Sequence, residues 1–176
     1  MLISEAYKQQ NQELHAHGDF GVMGSRYAHI IARICETEGT RDVLDYGCGQ
    51  QALARSMPFP VRGYDPCIPG LDAGPQPADI VSCTDVLEHV EPDCIDAVLD
   101  HLGGLTKRVA FLVIPTRPAK KFLPDGRNAH LIQQPAEWWF PKLYARFHCV
   151  QINNMLIRPG KSAGFSAICR NPINEE

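Results

Sequence analysis

Short apolar runs alternate with amphipathic segments along most of this chain. The runs of four to six residues predict strands, at Val43–Tyr46, Val61–Tyr64, Asp79–Cys83 and Val109–Ile114. The last run is apolar throughout, as expected of a strand that is covered on both faces. Strands that alternate with helices predict an α/β fold with a doubly wound, mostly parallel sheet.

Helical spacing of apolar residues is found between these runs. An apolar face at i, i+3, i+4 and i+7 begins at Tyr27 and predicts a helix from a Ser25 cap to about Glu38. Further helices are predicted over 50–56 and 92–102, with Gly103-Gly104 ending the second, and from Pro135 with a kink at Pro141. Residues 115–134 predict a long loop, and 150–157 and 164–169 predict a closing hairpin around Arg158-Pro159-Gly160-Lys161.

The interval 66–77 interrupts the alternation of predicted strands and helices. It holds four prolines and two glycines in twelve residues, a composition that does not sustain a helix. We therefore expect a loop here, with neither a regular helix nor a full-length strand.

The composition limits the classes of function. A chain of 176 residues with 44% hydrophobic and 21% charged residues is expected to form one globular domain over 1–176. The net charge of −3 gives no general attraction to nucleic acid or to anionic membrane, which leaves only a local basic patch for such partners. No apolar run has transmembrane length, so we expect no membrane partner.

The cysteines and the N-terminal segment add two expectations. Seven cysteines without a Cys-x-x-Cys pair indicate reduced thiols and a cytoplasmic protein. The polar residues 1–24 are interpreted either as a frayed terminus or as a lid that includes Tyr7, His15 and His17.

One motif lies at the ends of the first two predicted strands and is suited to bind a ligand. The run Val43–Tyr46 contains Asp45 and is followed by Gly47, Cys48 and Gly49, and Asp65 follows sixteen residues later at the end of the second run. Glycines permit a sharp turn and close approach to a ligand. A carboxylate at the second strand end suits a ribose diol. Since no Gly-x-Gly-x-x-Gly or P-loop is present, the pattern favours a cofactor with a ribose and no phosphate.

A third segment completes a family resemblance. Residues 78–90 read Ala-Asp-Ile-Val-Ser-Cys-Thr-Asp-Val-Leu-Glu-His-Val. In this order and spacing the three segments resemble those of the class I S-adenosylmethionine-dependent methyltransferases, over about residues 25–170. The resemblance implies their fold, with an antiparallel final strand. It departs at Gln51, where the family usually has a third glycine, and at 66–77, where the family's third strand is missing or vestigial.

The resemblance also implies a cofactor and its binding residues. The cofactor would be S-adenosylmethionine, and Asp65 would bind its ribose while Asp45 orients its amino-acid end. Asp72 stands where the family often has an acid that accepts from the adenine amino group. The full set implied to bind the cofactor is Asp45, Gly47, Cys48, Gly49, Asp65, Pro66, Asp72, Cys83 and Thr84.

His89 and His130 are the candidate catalytic residues. At a helix start, Asp85, Glu88 and His89 would share one face, and His130 lies in the long loop after the next strand. Either histidine is a candidate general base for a hydroxyl acceptor. Alternatively Glu88 and both histidines bind a divalent metal, which resembles the small-RNA 2′-O-methyltransferases. In a third interpretation, the Leu-Glu-His motif has no chemical role and serves only in packing and helix capping.

The sequence leaves three classes of function open. We expect a methyltransferase that acts at oxygen on a small-molecule or sugar-like acceptor. The first alternative is a metal-dependent RNA 2′-O-methyltransferase, and the second is a non-catalytic module that binds S-adenosylmethionine. A locally basic stretch within 115–134 suits a carboxylate or phosphate on the acceptor, and consists of Arg117, Lys120, Lys121 and Arg127.

Overall fold

The fold is a mixed sheet that carries helices on both faces. It was obtained as a computed structural model, which describes residues 1–16, 23–158 and 161–172. Within these residues the sheet has six strands in the order β2-β1-β3-β4-β6-β5. Their bounds are β1 Val43–Tyr46, β2 Arg62–Tyr64, β3 Ala78–Thr84, β4 Thr106–Pro115, β5 His148–Arg158 and β6 Lys161–Arg170.

The pairing confirms the predicted fold class. Strands β1 to β4 pair in parallel, whereas β6 runs antiparallel to both β4 and β5. Successive strands lie on opposite sides of β1, because β2 pairs with one edge of it and β3 with the other. The carboxyl ends of β1 and β3 therefore form a topological switch point, where open α/β sheets bind their ligands.

The described helices are α1 Glu5–Ala16, α2 Ala28–Glu38, α3 Ala52–Ser56, α4 Ile95–Leu105 and α5 Ala136–Tyr144, with 3₁₀ turns at Met23–Tyr27 and Leu87–His89. Several predicted helix boundaries are wrong, and α4 begins at Ile95 rather than at Pro92. Ser25 lies inside the first 3₁₀ turn, and α2 begins after Tyr27. Helix α4 continues through Gly103-Gly104, since Leu102 and Leu105 are buried in the core and their burial outweighs the cost of two glycines, about 1 kcal/mol each. Gly39 ends α2 in the left-handed conformation, directly after the helix end predicted at about Glu38.

The interval 66–77 contains neither helix nor strand, which confirms the prediction for this loop. Turns fold it back against β2, and the Asp65 amide donates to the Leu71 carbonyl at 2.9 Å. The third strand of the family is therefore missing, and β2 is the edge of the sheet on this side.

Strand β4 separates two hydrophobic clusters. Ala110, Leu112 and Ile114 pack into one of them, and Phe111 and Val113 pack into the other. Successive side chains of a strand point to opposite faces. Both faces of β4 are thus covered, as its uninterrupted apolar sequence predicted.

The N-terminal segment is not a frayed terminus over the residues described. Glu5–Ala16 forms helix α1, and Tyr7 is buried with Leu123 and Ala129 of the 115–134 loop. The side chain of His15 and the whole of His17, which sequence analysis assigned to a lid, lie outside the described residues. Within the described part of the chain, no helix combines the length and apolar character needed to cross a membrane.

Candidate active site

A cavity of about 460 Å³ opens at the carboxyl ends of the parallel strands. It lies where the switch point predicts a ligand site. Of the residues predicted for the site, Asp45, Gly47, Cys48, Gly49, Asp65, Pro66, Thr84, His89 and His130 line this cavity.

The turn after β1 forms the floor. The amides of Gly47 and Cys48 both donate to the Tyr64 carbonyl, at 2.7 and 3.0 Å, which ties this turn to the end of β2. Gly47 has a φ of 74°, and a Cβ atom there would collide with the Val86 side chain. Gln51, which replaces the family's third glycine, has a φ of 55°. The backbone therefore takes the left-handed conformation that suits glycine, at a cost of about 1 kcal/mol for glutamine.

Asp65 is fixed by main-chain donors. Its Oδ2 accepts from the Gly49 amide at 3.1 Å, and its Oδ1 accepts from the Cys67 amide at 2.9 Å. A carboxylate has about four lone-pair sites, so each oxygen retains one for a further donor. The side chain is thus oriented to accept two hydrogen bonds from a diol in the cavity.

Asp45 is buried beside this group. Burial raises its pKa to about 7, and the negative charge of Asp65 adds to the effect. A cation in the cavity would favour the ionised form, which fits the amino-acid end of a cofactor.

Two histidines and a glutamate converge on another wall. His89 Nδ1 lies 2.7 Å from the Ala129 carbonyl oxygen, and His130 Nδ1 lies 2.6 Å from that of Arg117. A carbonyl only accepts, so both Nδ1 atoms donate, and in the neutral rings Nε2 carries the lone pair. These Nε2 atoms lie 3.7 and 3.9 Å from Oε1 of Glu88.

Glu88 is the unusual member of this group. Its side chain is fully buried, and neither carboxylate oxygen has a hydrogen-bond partner among the described residues. Burial raises its pKa well above the ordinary value, and Asp85 raises it further. Burial also lowers the pKa of His130, which keeps that ring neutral at pH 7. Acceptor atoms that face one another in this way favour a bound proton or cation between them.

The helix that was expected to begin within 85–89 does not form there. Only one 3₁₀ turn forms, over Leu87–His89, and Asp85 has a φ of 55°. Asp85, Glu88 and His89 nevertheless all line the cavity. Burial raises the pKa of Asp85 to about 6.

Two predicted cofactor residues do not line the cavity. Asp72 is exposed, accepts from the Gly70 amide at 3.2 Å and pairs with Lys8 at 3.7 Å, because the shortened 66–77 loop carries it away from the site. Cys83 is fully buried in a hydrophobic cluster, since it points to the opposite face of β3 from Thr84.

Sequence reasoning missed part of the cavity wall. Leu2, Ile3 and Asn11 of the N-terminal segment line it together with Tyr7, whose hydroxyl donates to the His89 carbonyl at 2.6 Å. The signal available was the helical spacing of Ile3, Tyr7 and Leu14 within a polar stretch. Of the basic residues, Arg117, Lys120 and Lys121 line the cavity, whereas Arg127 pairs with Asp125 at 2.7 Å.

Comparison with known proteins identifies the family. A family model described as a methyltransferase domain matches residues 20–169. A search of curated protein sequences found no match.

Solved structures show the same fold. One is 1,6-didemethyltoxoflavin-N1-methyltransferase from Burkholderia thailandensis with S-adenosylhomocysteine, which is 16% identical at a TM-score of 0.60, over 94% of this chain and 88% of that one. N-methyltransferase NodS from Bradyrhizobium japonicum WM9 is 13% identical at a TM-score of 0.59, over 88% and 90% of the two chains. Magnesium protoporphyrin IX methyltransferase from Synechocystis PCC 6803 is 17% identical at a TM-score of 0.57, over 85% and 84%.

The sheet order, the glycine turn and the acidic strand ends suit a ligand with a ribose at the switch point of the sheet. The chain belongs to the methyltransferase domain family and has the class I S-adenosylmethionine-dependent fold. It is a methyltransferase. The similar structures from Burkholderia thailandensis and Bradyrhizobium japonicum hold S-adenosylhomocysteine, the product that S-adenosylmethionine leaves after methyl transfer. The described residues fit this cofactor, because Asp65 offers two oriented acceptors and Gly47 leaves the floor open to close approach.

Proposed function

We propose that this enzyme methylates an oxygen atom of a small-molecule or sugar-like acceptor, and that His89 and His130 bind the reacting hydroxyl. The observation that carries the proposal is the convergence of both imidazoles and Glu88 on one wall of the cavity that Asp65 and Gly49 also line. Cofactor site and acceptor site would then adjoin.

The cofactor residues have separate roles in this proposal. Asp65 accepts from both ribose hydroxyls, and such charge-assisted bonds contribute roughly 1.5–3 kcal/mol each. Asp45 holds the amino-acid end, while Gly47, Cys48 and Gly49 approach it through their main chain. Pro66 and Thr84 complete the wall. The cofactor supplies a methyl group on a sulfonium, and the chain holds the acceptor in line with it.

The histidines would take the hydroxyl proton. Because Nδ1 of each ring donates to a carbonyl, Nε2 is the acceptor nitrogen of the neutral ring. The lowered pKa of His130 keeps that atom unprotonated at neutral pH. An acceptor hydroxyl that donates to Nε2 is thereby oriented and made more nucleophilic.

A divalent metal is the second candidate, and the unpartnered Glu88 favours it. Ligand atoms of Glu88, His89 and His130 all lie within 4.8 Å of one another. Two ligands that bind one ion at about 2.1 Å each lie roughly 3–4 Å apart. The carbonyls of Ala129 and Arg117 orient the two rings in the manner of outer partners in metal sites. The ion would bind the acceptor oxygen and favour its ionised form.

The acceptor is proposed to carry a carboxylate or phosphate. Arg117 and Lys120 line the cavity, and no ion pair joins either side chain to another described residue. Arg117 is also the residue whose carbonyl fixes His130. An anion bound there would lie beside the reacting hydroxyl.

Residues 1–24 are proposed to act as a lid. Helix α1 covers the cavity through Tyr7 and Asn11, and Ser4 fixes its start by donating to Glu91 at 2.7 and 2.8 Å. A lid would exclude water from the reacting groups.

The proposal is tested with S-adenosylmethionine that carries a labelled methyl group. A panel of hydroxylated carboxylates and sugar phosphates is compared with the corresponding deoxy compounds. Label transfer to a hydroxylated acceptor and none to its deoxy partner supports the proposal. Salt-sensitive transfer to RNA alone would instead favour the RNA 2′-O-methyltransferase. Cofactor binding with no transfer to any acceptor would favour the non-catalytic module.

A further inference from the structure

Two cysteines face each other across the hairpin of β5 and β6, away from the cavity. Cys149 and Cys169 are register partners in adjacent antiparallel strands, and their sulfur atoms lie 2.8 Å apart. Directly opposed residues in such strands have Cα atoms roughly 4.5–5.5 Å apart. This spacing falls inside the range of roughly 4.4–6.8 Å that a disulfide requires. A cross-strand pair of this kind is therefore close enough for a bond.

The pair differs from the other cysteines. Cys35, Cys48, Cys67, Cys83 and Cys94 are buried, and within the described part of the chain none of them makes a sulfur–sulfur hydrogen bond. Cys149 lies on β5, the last strand of the sheet, and no other strand of the described residues pairs with its outer edge. It is partly exposed, and the pairing skips Val150 next to it as a β-bulge. Small reagents therefore reach Cys149 first.

The environment divides the roles of the two thiols. The two thiols share a hydrogen bond in which either sulfur can donate. Cys149 is partly exposed, whereas Cys169 is fully buried, and its hydrogen bond with Cys149 and its burial raise the pKa of Cys169. Since the attacking thiol must meet the reagent, Cys149 is the attacking residue and the buried Cys169 is the resolving one.

We propose that Cys149 and Cys169 form a modification site at which a small-molecule disulfide oxidises the hairpin reversibly. The Cys149 thiolate attacks one sulfur of the oxidant, forms a mixed disulfide and releases the other half as a thiol. Cys169 then gives up its proton, attacks the Cys149 sulfur and releases the second half. Two electrons and two protons pass to the oxidant, which leaves as two thiols, and one S–S bond joins β5 to β6.

Peptide mass spectrometry on the whole chain tests this site. The protein is incubated with oxidised glutathione, remaining thiols are alkylated, and trypsin is added without reduction. Because tryptic cleavage falls at Arg146, Lys161 and Arg170, the two cysteines lie on separate peptides, 147–161 and 162–170. The expected product is these two peptides joined and two hydrogens lighter, and it disappears with dithiothreitol. The same oxidation should raise Tm by about 5 °C.

Two single substitutions show which cysteines carry the reaction. Cys149→Ser should abolish both the cross-link and the Tm shift, whereas the matched control Cys94→Ser should retain both. The proposal is overturned if both peptides stay alkylated, if Cys149 stops as a glutathione adduct beside an alkylated Cys169, or if either cysteine links to another partner. The measurement on the unsubstituted chain decides these outcomes, so it does not depend on how well a variant folds.

Discussion

Asp65 accepts a hydrogen bond from the Gly49 amide at 3.1 Å, and this contact joins the ends of β1 and β2 at the cavity floor. The Cys67 amide holds the other oxygen at 2.9 Å. The carboxylate is thus oriented before a cofactor binds. Preorganisation of this kind reduces the ordering cost of binding.

Replacing Asp65 should weaken cofactor binding. Asp65→Ala removes two acceptors for the ribose hydroxyls, and loss of about 2 kcal/mol corresponds to an approximately 30-fold higher Kd for S-adenosylhomocysteine. Isothermal titration calorimetry measures the change. Asp72→Ala is the matched control, because Asp72 is exposed outside the cavity, and its Kd should not change. An unchanged Kd in Asp65→Ala would remove Asp65 from the cofactor site.

Gly47→Ala should destabilise the fold more than a control at Gly39. Both glycines have positive φ, at 74° and 66°, but only at Gly47 would a Cβ meet another side chain. At Gly47, backbone strain and overpacking together should lower the free energy of unfolding by about 3 kcal/mol. At Gly39, backbone strain alone should lower it by about 1 kcal/mol. Thermal unfolding provides the comparison. Equal shifts in Tm would show that Val86 moves aside without cost.

Stability without cofactor should fall as pH rises from about 4 to about 7. Asp45 has a raised pKa of about 7 in the folded chain, so the folded state binds a proton that the unfolded state has lost. The free energy of unfolding therefore falls with a slope of up to about 1.4 kcal/mol per pH unit over this window because of that proton. Denaturant unfolding of Asp45→Asn should show a shallower dependence of stability on pH than that of the unsubstituted chain. An unaltered slope in Asp45→Asn would mean that Asp45 is ionised throughout.

Chelation and pH separate the two roles proposed for the histidines. If they act as a base, activity resists a chelator and falls only below about pH 6.5, because burial lowers the pKa of His130 from its ordinary value. If they bind a metal, activity is lost with a chelator and returns with a divalent ion. Glu88→Gln should then lose binding of added Mn²⁺, measured directly by calorimetry. Full activity in a His89→Ala, His130→Ala double variant would contradict both roles.

The strands and the cofactor motif were predictable because their signals are local. Apolar runs marked β1 to β4, and the spacing from Gly49 to Asp65 marked two neighbouring strand ends. The position of Cys83 was not predictable, since one residue of strand phase decides which face a side chain occupies.

Long-range contacts account for the other differences. The contact of Tyr7 with His89 joins positions 82 residues apart, and no local pattern indicates it. The polar N-terminal stretch forms α1 because tertiary packing against Leu123 and Ala129 stabilises it. The sequence placed His89 and His130 at the same edge of the sheet, but the burial of Glu88 between them came only from the structure.

A crystal structure with bound S-adenosylhomocysteine will show whether one cavity brings the cofactor together with Glu88, His89 and His130. We expect the cofactor ribose to contact Asp65. We also expect its sulfur to lie within about 8 Å of the Nε2 atoms of His89 and His130, since a base or bound metal must reach the acceptor oxygen. A sulfur that faces away from both imidazoles would show that the two histidines do not serve the acceptor.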